Sequence, residues 1–266
     1  MKAFATFLFL CAASLFSCLG PLDFTDYHSS ARVDAALEYL HNTHPALTAL
    51  VTVGTSIEGR PIRALKISST PGVNDPVKGD VVFVACHHAR EWMSVETPIY
   101  IAAQLLASYS TNTTIQADLN HTQLWIIPVL NPDGFEYTQT AANRYWRKNR
   151  RHNSDGSYGV DLNRNYSYKW SLAGVSGSGV PSDDTYYGTA PFSEPETNDV
   201  RNFMLGLSNL KAFFSYHSYG EWHMKPWSHT FSNAPGYETL HSIALRDISR
   251  IAAVHGVTYK EIFNLY

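Results

Sequence analysis

The chain has 266 residues, of which 44% are hydrophobic and 16% are charged, and its formal net charge is −3 at pH 7. This composition excludes an intrinsically disordered chain, and the mild excess of acidic residues argues against a nucleic-acid partner. Of the three cysteines only Cys86 lies after residue 20, so the chain beyond that point forms no internal disulfide and depends on its hydrophobic core.

Residues 1–20 have the pattern of a secretory signal peptide. One positive charge, Lys2, precedes an apolar run that is too short to span a bilayer, and small residues follow that run. No later segment is apolar enough to cross a membrane. We therefore expect a secreted, extracellular protein without a membrane partner, whose single domain occupies residues 21–266.

The first predicted helix begins at Ser29 and Ser30, whose hydroxyls can cap it, and carries an apolar stripe from Val33 to Leu40. Apolar runs typical of strands, several of them central and covered on both faces, are Leu50–Val53, Ile62–Ile67, Asp80–Cys86, Gln123–Leu130 and Leu210–Tyr216. Helical patterns between and after them are Ser94–Tyr109, Glu194–Leu207 and Gly236–His255. This alternation predicts an α/β fold, a single domain whose mixed, mostly parallel central sheet has helices on both faces.

Residues 131–192 differ from the rest of the chain. They are rich in Asn, Gly, Ser, Tyr and Arg, have little apolar periodicity, and are longer than an ordinary connection between two elements. Long ordered loops often carry functional residues, so we expect part of the site to lie here.

Three potential metal ligands follow predicted buried strands. His88 and Glu91 come after Asp80–Cys86, and His217 comes after Leu210–Tyr216, so all three side chains can meet at one edge of the sheet. Two histidines and a glutamate form a catalytic zinc set that leaves a fourth position open for water. A lone His-x-x-Glu is common by chance, and His87 remains an alternative ligand because neighbours in an extended chain point in opposite directions.

The sequence contains five distinctive blocks, which are His88–Trp92, Asn131–Phe135, Arg144–Arg150, Gly159–Asn165 and Phe214–Tyr219. Together they resemble the zinc metallocarboxypeptidase family of the pancreatic carboxypeptidase A/B type. His88-Ala89-Arg90-Glu91-Trp92 is similar to its first zinc signature, and Phe214-Ser215-Tyr216-His217-Ser218-Tyr219 is similar to its second. The blocks between them also match that family in order and spacing: Asn131–Phe135, Arg144–Arg150 and Gly159–Asn165. The similarity covers nearly all of the chain after residue 20.

The resemblance implies a monomer with one Zn²⁺ per chain, held by His88, Glu91 and His217, and acting on peptide or protein substrates with a free C-terminus. It also implies that Arg147 stabilises the oxyanion, because a preorganised positive charge beside the scissile carbonyl favours the tetrahedral intermediate. The residues that it implies for substrate binding are Arg90, Asn163, Arg164, Ser218, Tyr219 and Tyr266.

In this family the general base is a glutamate on a late strand, and the family spacing places that residue beyond Tyr266. The resemblance therefore implies that the catalytic domain 21–266 is incomplete at its C-terminus and lacks its expected last strand, last helix and general-base Glu. The leading hypothesis is a zinc carboxypeptidase. The alternatives are a secreted, non-catalytic zinc-containing module that binds peptide C-termini, and a zinc deacylase for small amino-acid conjugates, which Asn163, Arg164 and Arg147 fit less well.

Overall fold

The computed structural model describes residues 20–263. These residues form two compact units, residues 20–217 and residues 218–263. The predicted signal segment, apart from Gly20, lies outside the described residues, and so does Tyr266. Within residues 20–263 no helix has the length and apolar character needed to cross a membrane.

The first unit alternates helices and strands, as the sequence predicts, and it contains two helices in addition to the predicted ones. Its strands are β1 (Thr48–Thr55), β2 (Pro61–Ile67), β3 (Gly79–Ala85), β4 (Thr122–Ile127) and β5 (Leu210–Tyr216). Its helices are α1 (Ser30–Thr43), α2 (Trp92–Ser108), α3 (Thr113–His121), α4 (Pro132–Tyr137) and α5 (Pro195–Leu205). The additional helices are α3 and α4, both of which begin after an asparagine that caps them through its side-chain oxygen.

The five strands form one mixed sheet in the order β1-β2-β4-β3-β5. β2 is antiparallel to both of its neighbours, β1 and β4, whereas β3 is parallel to both of its neighbours, β4 and β5. Only β2 therefore runs against the other strands. The mixed, mostly parallel sheet expected from the sequence is confirmed.

Helices cover both faces of this sheet, and β3 lies between them with all seven of its residues buried. Val82 and Val84 pack in a cluster that includes Val200 and Phe203 of α5. Because successive strand residues point to opposite faces, the neighbouring positions of β3 face the other layer, where α1 and α2 contact the strands. A strand buried in this way gives the residues that follow it a fixed position.

β5 departs from the expectation of a central strand covered on both faces. It forms an edge of the sheet in the described part of the chain, and Leu210 and Phe213 are each 40% exposed. The expectation of full burial for this strand was wrong, because a run of apolar residues does not distinguish an interior strand from an edge strand.

The second unit, residues 218–263, contains two short parallel strands, β6 (Trp222–Met224) and β7 (Lys260–Ile262), and the helix α6 (Tyr237–His255). Gly236 and Gly256 flank α6 with φ angles of 76° and 71°, a left-handed conformation that glycine adopts without steric cost.

Candidate metal centre

Two neighbouring strands bring three metal-binding side chains to one edge of the sheet. β3 and β5 are parallel and in register at their carboxyl ends, where Ala85 is paired with Tyr216. His88 and Glu91 lie in the turn between β3 and α2, and Glu91 is the residue immediately before α2. His217 directly follows β5. The predicted ligands are therefore neighbours because the strands that precede them are neighbours.

The ligand atoms of these three side chains converge. Nδ1 of His88 lies 2.7 Å from Oε1 of Glu91, Nδ1 of His217 lies 2.9 Å from Oε2 of Glu91, and the two Nδ1 atoms lie 3.2 Å apart. A tetrahedral zinc ion with metal–nitrogen bonds of about 2.0–2.1 Å places two ligand nitrogens about 3.3 Å apart. The imidazole spacing therefore fits zinc. Within residues 20–263, no other group of three or more His, Cys, Asp and Glu side chains is close enough to hold a metal ion.

Glu91 is held in the ionised form that a metal ion requires. Burial by itself raises the pKa of Glu91, but the hydrogen bonds from His217 and His88 outweigh burial and lower that pKa to about 2. His88 and Glu91 are buried, whereas the side chain of His217 is 31% exposed. The cluster is therefore most open to solvent on the side of His217.

His87, the alternative ligand, faces other partners. Its Nε2 lies 2.8 Å from the hydroxyl of Tyr166, and its Nδ1 lies 3.2 Å from Oγ of Ser215. Burial lowers the pKa of His87 well below its usual value, so this imidazole is neutral. The structure thus brings His88, rather than His87, to the cluster.

Asp161 was not among the predicted site residues, but its side chain contacts His88 on the side away from Glu91. Its Oδ1 is 3.2 Å from Nε2 of His88, and its Oδ2 accepts from Nε and Nη2 of Arg147 at 3.1 and 2.8 Å. Burial raises the pKa of Asp161, but the hydrogen bond and charge of His88 and the charge of Arg147 outweigh it and hold the pKa well below its usual range. Metal-binding histidines commonly donate the N–H of their other ring nitrogen to a carboxylate, and this rule was the available signal for Asp161.

Arg164 presents a buried donor without a described partner. It ends the 3-10 turn Leu162–Arg164, and its Nη1 donates to the carbonyl of Asn163 at 3.0 Å. Its Nε is buried, and no residue in the described part of the chain accepts from it. Leaving such a donor unpaired costs free energy, whereas a carboxylate ligand satisfies a guanidinium well. Asn163 is tied to the same region because its backbone N–H donates to Asp161.

The other predicted substrate-binding residues lie in three places. Arg90 is in the turn with His88, and its Nη1 donates to the carboxylate of Asp184 at 3.4 Å. Ser218 and Tyr219 begin the second unit, and Tyr219 is fully exposed. Tyr266 lies outside the described residues.

Comparison with known proteins decides the family. A family model described as zinc carboxypeptidase matches residues 33–265. The chain belongs to the zinc carboxypeptidase family. It is 34% identical over 243 residues to carboxypeptidase B of Astacus astacus. The aligned region covers 90% of this chain and 77% of the Astacus protein. It is also 34% identical over 242 residues to zinc carboxypeptidase A 1 of Anopheles gambiae. That aligned region covers 91% of this chain and 54% of the Anopheles protein.

Solved structures of this zinc carboxypeptidase family have the same fold. The superposition on the crystal structure of thrombin activatable fibrinolysis inhibitor covers 92% of this chain and 61% of the inhibitor chain, with a TM-score of 0.83 and 28% sequence identity. The superposition on carboxypeptidase A from Helicoverpa armigera covers 91% of this chain and 58% of the Helicoverpa chain, with a TM-score of 0.81 and 31% sequence identity.

These structural similarities confirm a single-domain, mixed α/β carboxypeptidase fold. The chain spans about half to three quarters of the length of these four relatives. Membership of the family implies one Zn²⁺ ion. The cluster of His88, Glu91 and His217 has the donor set for that ion.

Proposed function

We propose that this zinc carboxypeptidase family member is a secreted, monomeric metallocarboxypeptidase that hydrolyses the C-terminal peptide bond of peptides or proteins. The convergence of His88, Glu91 and His217 at one edge of the sheet supports the proposal most strongly. A Zn²⁺ ion held by these residues would polarise the scissile carbonyl and lower the pKa of a water molecule.

Two arginines supply the recognition that an exopeptidase requires. Arg164, with its unpaired buried Nε, would hold the free carboxylate of the substrate, and Asn163 would support it. Arg147 is fixed by two hydrogen bonds to Asp161, so its charge is already in place when the oxyanion forms. One preorganised donor of this kind typically contributes about 3–4 kcal/mol to transition-state stabilisation.

The contacts of the two carboxylates at the cluster, those of Glu91 and Asp161, support a second candidate function. Both oxygens of Glu91 face histidine nitrogens, and both oxygens of Asp161 accept hydrogen bonds or face His88. Neither of these two carboxylates is placed to accept a proton from an attacking water. This favours, as the alternative, a secreted zinc-containing protein that binds peptide C-termini without cutting them.

Hydrolysis of N-blocked dipeptides with different C-terminal residues separates the two functions. We expect release of the C-terminal amino acid that stops with a chelator and returns with Zn²⁺, and no release from the same dipeptides with an amidated C-terminus. His217→Ala should abolish release. Arg164→Lys, which keeps the charge but removes the planar fork, should lower kcat/KM by at least about tenfold.

Binding of the same dipeptides without release of product, measured calorimetrically on the Zn²⁺-loaded protein, would refute hydrolysis and establish the alternative. Equal binding of the free and the amidated peptides would refute both functions, because both depend on recognition of the carboxylate. Secretion is tested separately by expressing the full chain in eukaryotic cells and sequencing the N-terminus of the protein in the medium, which we expect to lie near residue 21.

A further inference from the structure

His217 is the least enclosed of the three ligands. Its side chain is 31% exposed, whereas the side chains of His88 and Glu91 are 5% and 10% exposed. His88 is also fixed from behind by the buried carboxylate of Asp161. An exposed imidazole at the end of an edge strand needs another restraint if it is to hold a metal ion in fixed geometry, because second-shell partners normally orient such ligands.

The described partner of the second nitrogen of His217 is the hydroxyl of Ser215. Nδ1 of His217 faces Glu91 and His88, and Nε2 lies 3.0 Å from Oγ of Ser215. Ser215 lies two residues before His217, so both side chains stand on the same side of the chain. The same Oγ is 3.2 Å from Nδ1 of His87, and Nε2 of His87 is 2.8 Å from the hydroxyl of Tyr166.

These contacts form one continuous series whose proton positions follow from the metal site. A neutral imidazole that offers the lone pair of Nδ1 to a metal carries its proton on Nε2, so His217 donates to Oγ of Ser215. The hydroxyl of Ser215 then donates to Nδ1 of His87. His87 consequently carries its proton on Nε2 and donates to the oxygen of Tyr166. Each hydrogen bond in the series thus has a defined donor and a defined acceptor.

We propose that Ser215 is a positioning residue for the metal ligand His217, and that His87 and Tyr166 hold Ser215 in place. This inference rests on the metal site of the proposed function and concerns how firmly that site binds Zn²⁺. His87 can hold Ser215 in a fixed position because His87 is itself buried, with 1% of its surface exposed. The rings of His87 and His217 also stack, with centroids 5.4 Å apart and an interplanar angle of 26°. The exposed ligand is therefore held through Ser215 by a buried histidine.

The test measures Zn²⁺ affinity by competition with a chromophoric chelator, without any enzyme assay. Ser215→Ala removes the hydroxyl and should weaken Zn²⁺ binding about 10- to 100-fold, the usual effect of losing a second-shell partner. Ser215→Thr keeps the hydroxyl and suits a strand, so it should bind Zn²⁺ nearly as well as the wild type. Ser208→Ala is the matched control, since Ser208 precedes β5 and should not affect binding.

A double-mutant cycle separates positioning from general packing. His87→Phe keeps a ring against His217 but removes both nitrogens, and it should also weaken binding. Because His87 acts through Ser215, the double variant with Ser215→Ala should bind Zn²⁺ no more weakly than Ser215→Ala alone. If His87→Phe does not fold, Tyr166→Phe takes its place in the cycle. The visible spectrum of the Co²⁺-loaded protein should change in Ser215→Ala and not in Ser208→Ala.

Unchanged Zn²⁺ affinity and an unchanged Co²⁺ spectrum in folded Ser215→Ala would overturn the inference and leave the metal site intact. Additive losses in the double variant would overturn the role of His87. A wild-type protein that binds no Zn²⁺ would overturn the metal site itself, and with it both this inference and the proposed function.

Discussion

Replacing Asp161 by Asn tests how the site is held together. Asp161 is buried, faces Nε2 of His88 and accepts two hydrogen bonds from Arg147. Asn has almost the same shape but no charge, and its amide can present an oxygen to only one of these two partners. In Asp161→Asn, Arg147 therefore loses its counter-charge in either orientation of the amide, and either Arg147 or His88 also loses its hydrogen-bond acceptor.

Removing one partner of a buried ion pair typically costs about 3–5 kcal/mol. The side chain of Arg147 is 13% exposed, so water can partly solvate it, and we expect about 3 kcal/mol, the lower end of that range. The direction in which the stabilising effect of Asp161 changes with pH follows from its lowered pKa. Its stabilising effect is fully present above the unfolded-state pKa of about 4 and disappears as the pH falls through the lower folded-state pKa.

Urea denaturation of the metal-free proteins measures this difference directly. At neutral pH, Asp161→Asn should unfold with a free energy about 3 kcal/mol below that of the wild type, and the two proteins should converge as the solution is acidified. Zn²⁺ affinity should fall about 10- to 100-fold in the same variant. Equal stability at neutral pH, or a difference that grows in acid, would refute the role given to Asp161.

Three further changes test other parts of the structure. Burial and the charge of Glu194 raise the pKa of Glu196 to about 7, so the wild type should lose stability as the pH rises from about 5 to 8. Glu196→Gln should remove that loss in urea denaturation and be up to about 3 kcal/mol more stable at pH 8. Phe83→Ala removes a buried ring in edge contact with Phe214 and should cost about 3–5 kcal/mol in the same assay. Excess Zn²⁺ at about 100 times its dissociation constant should add about 2.7 kcal/mol of stability, and His217→Ala should not respond.

The sequence predicts much of the site because its signals are local. His88 and Glu91 are three residues apart after an apolar strand, and His217 follows another apolar strand, so parallel pairing of the strands is enough to bring the three predicted ligands to the same edge. The structure also explains why His88 and not His87 faces the cluster: His87 has Tyr166 and Ser215 as partners, and this pairing depends on tertiary contacts.

Other features depend on the tertiary fold and could not be read from the chain. Asp161 is separated from His88 by more than seventy positions, and its contact with His88 depends on the path of a long loop without periodicity. The exposure of Phe213 depends on which strands flank β5 in the sheet, and a local apolar run does not contain that information. Helix α3 has a weak apolar pattern, although the capping by Asn112 was a usable signal for its start.

The metal content of the purified protein is the most direct test of the predicted zinc site. After dialysis against metal-free buffer and reloading with Zn²⁺, elemental analysis should give one Zn²⁺ per chain for the wild type and a large loss for His217→Ala and Glu91→Ala. Equal metal content in the wild type and both variants, or no retained Zn²⁺ in the folded wild type, would contradict the assignment of His88, Glu91 and His217 as the zinc site.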